Sequence, residues 1–226
     1  MARLQDREKA IELRKQQLSY SQIKERLGVS KSTLSVWLKD LPLSREQINN
    51  LRANSEKRIE KFRQTMRVKR DERLSRVYSV QKDSLLPLSK KEVYIAGLFL
   101  YLGEGSKTRN QTCLSNTNPK TIHFFLYWLT KICDIPQKKI KIRLHLYSDM
   151  DQENEITYWM NFLNLPKKHF LVPYIKQGNQ ERINYHGGFG HGTCNLIASG
   201  VPLFEKIMMG IKVIHDTTQN SFQDIK

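Results

Sequence analysis

The 226-residue chain contains no run of 18 or more apolar residues, so no segment is long enough to cross a bilayer as a helix. Its first residues, MARLQDREKAIELRK, lack an apolar stretch of signal-peptide length and read as the opening turns of a soluble helix. Cysteine is scarce. Cys113, Cys133 and Cys194 are odd in number, far apart and without the paired spacing of a zinc site, which, with no secretion signal, predicts reduced, buried thiols in a reducing cytoplasm. There is no glycine-rich phosphate loop to support nucleotide hydrolysis, and no nucleophilic serine or cysteine stands beside an evident base. Acids are the shortest supply: 22 Asp+Glu face 38 Lys+Arg, leaving a formal charge of +16. A field of that sign attracts polyanions and speeds encounter with them, so nucleic acid or an anionic membrane surface is the expected partner.

Proline and glycine are missing from one long segment, residues 44–86, and that absence divides the chain. Residues 1–43 form a compact helical unit ending in Leu41-Pro42-Leu43. Residues 44–87 are a charged linker whose sparse apolar residues predict one or two solvent-exposed helices. Between residues 52 and 76 it carries ten basic residues, among them Arg63, Arg67, Arg70 and Arg73, against four acids, a net +6. Such a run serves equally as a solvated spacer or as an arm that follows DNA. Residues 88–226, after Pro87, are richer in aromatics and β-formers.

The most informative stretch is SYSQIKERLGVSKSTLSVWLKDLPLS, residues 19–44. Ser21 caps a short helix whose inner face is Ile23 and Leu27, Gly28 ends it in the left-handed region, and Val29 packs under the turn. Ser30 caps a second helix on which Leu34, Trp37 and Leu38 fall at three- and four-residue spacing. Lys31, Ser32, Thr33, Ser35 and Val36 are left facing outwards, with Lys39 just beyond. That is where a recognition helix meets base edges and phosphates in the major groove. The segment resembles the helix-turn-helix of site-specific recombinases and transposase-type regulators, and the resemblance implies binding to double-stranded DNA.

The third region predicts a mixed α/β pattern with antiparallel pairing. Helices are expected at 90–103, 119–133, 152–163 and 200–213, and strands near 106–109, 111–115, 139–147, 169–176 and 192–198. On the strand at 139–145, Lys139, Lys141, Arg143 and His145 alternate with Ile140, Ile142 and Leu144, a basic face suited to a DNA groove. Lys107 and Arg109 are candidate phosphate contacts. His186, His191 and Cys194 match no standard zinc spacing, and the glycines among them read as a hairpin turn. Trp37, Trp128 and Trp159 lie on apolar helical faces and belong to the core.

Residues 94–107, YIAGLFLYLGEGSK, place a carboxylate between two glycines at the negative end of an apolar helix, where the helix dipole offers it nothing. A hard cation would give an acid a reason to stand there. The Gly103-Glu104-Gly105-Ser106 ending resembles the LAGLIDADG homing endonucleases. That resemblance implies a saddle-shaped α/β domain, a catalytic Glu104, Mg²⁺ held at Glu104 and Gly103, and a homodimer that brings two such acids to one scissile region. Leu102 stands where the family has its earlier acid, and Phe99 where it has its interior glycine, with Gly97 two residues too early. The expected fold class is α+β: an all-α helix-turn-helix, a basic helical linker and a LAGLIDADG-like saddle. The expected function is a metal-dependent DNA endonuclease or, as the alternative, a non-cutting regulator of the same fold. A recombinase accessory role has only the N-terminal resemblance behind it.

Overall fold

In the computed structural model, residues 4–51, 54–107, 111–178 and 190–223 are described, excepting the side chains of 54–56 and 220–223. The chain divides into two units, Met1–Leu86 and Pro87–Lys226.

The first unit is helical. Helix α1 (Leu4–Lys15) precedes α2 (Tyr20–Leu27) and α3 (Lys31–Trp37). Helix α2 is capped by Ser19 rather than Ser21. Gln22 decides this, because it stands three residues after Ser19 and completes a reciprocal pair of side-chain-to-backbone bonds that Ser21 cannot form. Gly28, at φ +63°, ends α2 and returns its N–H to Lys24 O at 2.8 Å. Ala10, Tyr20, Ile23, Val29, Leu34 and Leu38 make one buried cluster, with Leu27 and Trp37 packed on its edge. The charged segment then forms two helices, α4 (Arg45–Asn49), capped by Ser44, and the 32-residue α5 (Asn54–Leu85).

The root of α5 is not solvated. Glu60 is 4% exposed and pairs with the buried Arg14 of α1 at 3.1 Å. Arg14 also donates to Leu41 O and Leu18 O, both at 2.9 Å. Arg63 meets Glu60 at 3.0 Å, and the two guanidinium groups stand over the Tyr20 ring at 4.6 and 4.0 Å from its centroid. A further arginine, Arg67, donates to Lys39 O at 2.6 Å. Farther along, α5 exposes Val68, Leu74, Val77, Tyr78 and Val80.

In the second unit, α6 (Lys90–Glu104) is capped by a Ser89–Glu92 box. There follow β1 (Gln111–Asn116), α7 (Pro119–Tyr127), β2 (Ile140–Tyr147), α8 (Gln152–Leu163), β3 (Tyr174–Lys176), β4 (Thr193–Ser199) and α9 (Val201–Gln223). Helix α7 runs on as a π-turn, Trp128–Ile132. The strand expected at 106–109 falls partly outside the described residues. Gly105 bridges Leu114 in the antiparallel sense, and Ser106 N–H donates to Cys113 O at 2.8 Å.

The sheet order is β1-β4-β2-β3. The β1–β4 and β4–β2 pairs are antiparallel, as expected, and β2–β3 departs from that pairing in being parallel. Helix α8 is the reason: it crosses between β2 and β3 and brings the chain back in the same direction. One face of the sheet buries Leu114, Ile140, Ile142, Leu144, Leu146, Cys194, Leu196 and Ala198 in a core shared with Leu98, Phe125, Trp128, Trp159 and Ile207. Gly97 is obligatory there, since a Cβ would overlap the Trp128 indole, whose Nε1 donates to Tyr94 O at 3.1 Å. The three thiols are free and buried, and burial pushes that of Cys133 up to about 11. No helix among the described residues is long and apolar enough to cross a membrane.

Candidate nucleic-acid interface

Helix α3 owes its placement to its two ends. Ser30 Oγ accepts from Thr33 N at 3.1 Å, and Leu34 and Leu38 anchor the inner face in the core. Its outer face then carries the expected residues. Ser32, Ser35, Val36 and Lys39 are exposed, and Lys31 and Thr33 are half-buried. The hydroxyls of Ser32 and Thr33 both lie 2.8 Å from Ser30 Oγ, so three hydroxyls gather at the start of the helix. Lys39 commits only its carbonyl to Arg67; its side chain stays in solvent.

A homeodomain-like domain is the family model that matches the chain, over residues 1–41. The N-terminal region is a helix-turn-helix. No curated protein and no solved structure matches the chain. In the helix-turn-helix, a DNA-binding architecture, α3 occupies the position of the second helix, the one that enters the major groove. Residues 1–86 carry 21 basic residues against 11 acids.

The second candidate surface is the sheet face turned away from the core. Arg143 lies across from Asn195 on β4, and His145 lies across from Thr193 on one side and Tyr174 on the other. Lys141, Arg143, His145 and Tyr147 therefore share that face with Tyr174 and Lys176. Arg143 is exposed, and Lys141 donates to Lys168 O at 3.2 Å. Asn195 Nδ2 lies 2.8 Å from His145 Nε2 and donates to the neutral imidazole. Burial, followed by the charges of Lys176 and Arg143, holds the His145 pKa below its ordinary value.

Lys139 does not belong to this strand, because Pro136 starts a tight turn, Gln137–Lys139, and leaves Lys139 exposed ahead of β2. Tyr174 and Lys176 escape a reading of the sequence alone, although they flank Ile175 in the alternation that marks a strand. Only the pairing with β2 shows that they join the basic face.

Glu104 is the exposed last residue of α6, next to the exposed Gly103. Lys107 has a different geometry from that of a phosphate contact: its Nζ donates to Tyr101 O, Leu102 O and Gly105 O at 2.9, 2.9 and 2.7 Å. Those bonds take all three ammonium protons. Arg109 and His186 lie outside the described residues. Among the described residues, no three His, Cys, Asp or Glu side chains gather to hold a metal ion. With the carbonyls at the helix end already engaged, the residues around Glu104 do not fit a divalent cation. His191 instead pairs with Glu155 at 2.8 Å and stacks on Tyr158 at 3.4 Å between centroids, while Cys194 is fully buried in the core.

Proposed function

We propose that the protein is a sequence-specific double-stranded DNA-binding protein that reads its site with α3 and gains further phosphate contacts from the basic sheet face of its second unit. The observation carrying this reading is the outer surface of α3: a core-anchored helix in the second position of a helix-turn-helix, presenting Lys31, Ser32, Thr33, Ser35 and Val36. The formal charge of +16 supports it, since phosphate neutralisation supplies most non-specific affinity. Arg143 and Lys176 extend the same electrostatics to the sheet, and the protein acts where duplex DNA is, at the nucleoid.

The second unit is proposed as a LAGLIDADG-like saddle acting in a homodimer. What supports it is the Gly103-Glu104-Gly105 ending of α6, the chain reversal that bridges Gly105 to Leu114, and the antiparallel β1-β4-β2 core of the sheet. The parallel strand β3 and the crossing helix α8 are additions to that plan. Two copies of the chain, each presenting α3, predict a target with two-fold symmetry, because the symmetry of a dimer is copied into its site.

Selection from a random duplex pool tests the function. The expected result is one enriched motif with inverted half-sites; enrichment of no motif at all would contradict sequence-specific reading. A single unrepeated motif would remove the homodimer and leave the reading helix.

A further inference from the structure

The last carbonyl groups of a helix have no partner within it, and their partial negative charge calls for a cation. Helix α6 meets that need from its own chain. Lys107 folds back so that Nζ donates to the carbonyls of Tyr101, Leu102 and Gly105, and stands 5.2 Å from the centre of the Tyr101 ring. Two features hold the chain in this return. A Cβ on Gly105 would overlap the Tyr101 ring, so only glycine permits the close turn. The Tyr101 hydroxyl donates to Ser106 O and fixes the next residue. A Cβ on Gly103, by contrast, would meet nothing within 4 Å.

We propose that Lys107 is a tethered counter-ion that takes the place of a divalent cation at the Gly103-Glu104-Gly105 end of α6, so that the chain engages DNA without a metal ion and does not cleave it. This rests on the DNA-binding reading above and decides between its cutting and non-cutting forms. A hard divalent cation takes about six oxygen ligands, several of them water or phosphate, so its hold on the protein rests on the few oxygens that the chain itself offers. At this helix end three carbonyl oxygens already accept from the ammonium, and one carboxylate, Glu104, remains. An arriving ion would have to break three hydrogen bonds and sit beside a fixed positive charge. Pairing two copies does not help, because each added Glu104 arrives with its own Lys107.

The test uses the full-length protein and Mn²⁺ alone as probe, followed by the loss of the free-ion electron paramagnetic resonance signal, with duplex retardation and nicking measured in parallel. Wild type is expected to show no saturable Mn²⁺ uptake, equal duplex affinity in EDTA and in Mg²⁺, and no nicking. Lys107→Ala is expected to gain saturable uptake, and the added substitution Glu104→Gln to abolish it. Should Lys107→Ala not fold, Lys107→Met keeps the aliphatic stem and removes both the charge and the donors to the carbonyls. Saturable uptake by wild type that Glu104→Gln removes, metal-dependent nicking that Glu104→Gln removes, or no gain in a folded Lys107 variant each overturns the proposal. Loss of duplex binding under every condition counts against the DNA-binding reading instead, and the Mn²⁺ titration still decides this one.

Discussion

The two units deploy their positive charge differently. Residues 1–86 carry a net +10 and residues 87–226 a net +6. In the first unit, three arginines that look like solvated charges are structural: Arg14 and Arg63 close on Glu60 and Tyr20, and Arg67 holds Lys39 O. The outward cations near α3, Lys31 and Lys39, have no such duty for their side chains. In the second unit, Lys107 and Lys141 bind backbone carbonyls, and Arg143 is the exposed cation at the centre of the sheet face. A basic residue therefore says little about its partner until its acceptors are known. Net charge brings a polyanion near; the uncommitted cations decide where it lands.

The largest expected effect breaks the comparison in the first unit. Glu60→Ala leaves Arg14 buried without its counter-charge, and urea denaturation should show the helix-turn-helix losing about 3–5 kcal/mol. If α5 were merely a solvated spacer, the loss would be near zero. Next comes the second unit, where Gly97→Ala drives a methyl group into Trp128 and should cost about 1–3 kcal/mol or more. Tryptophan fluorescence during denaturation reads it, and an unchanged midpoint would mean that α6 and the π-turn are not packed together. A smaller effect concerns binding: Arg143→Ala should lower the slope of log affinity against log salt by about 1, a change absent if the sheet face stays off the DNA. The smallest is a pH effect. Because the folded His145 binds its proton less readily, the unfolded chain protonates first below 6.5, and the second unit loses stability as pH falls through that window. His145→Gln should flatten this part of the pH profile, and a profile unchanged by the substitution would contradict it.

Legibility in the sequence follows the range of the interactions. Gly28, Ser30, Leu34 and Leu38 act within a few residues of one another, and α3 with its outer face is readable from them. The cap of α2 lies two residues from its expected place because Ser19 and Ser21 are both capping types, and only the reciprocal bond to Gln22 separates them. The Arg14–Glu60 pair spans 46 positions and leaves no periodic trace, so α5 reads as free of the domain it is rooted in. In the second unit the helices are legible from their caps and apolar spacing, except that α9 runs on to Gln223, ten residues past its expected end at 213, where the sequence turns polar. The parallel placement of β3, and with it Tyr174 and Lys176, depends on which strand β2 meets, and no local pattern states that. Lys107 shows the limit most clearly: its charge and neighbourhood are plain in the chain, but only the turn at Gly105 reveals the three carbonyls it serves.

The central claim is that α3 reads duplex DNA. Its most direct test is fluorescence anisotropy of the full-length protein on a selected duplex and on a scrambled one, across a series of salt concentrations. Affinity for both should fall steeply with salt, and the selected duplex should bind about 10³-fold or more tightly. Lys31→Ala and Thr33→Ala should each erase about 1–3 kcal/mol of that preference where the side chain meets a base. Equal affinity for the two duplexes, or a preference that survives both substitutions intact, would contradict it.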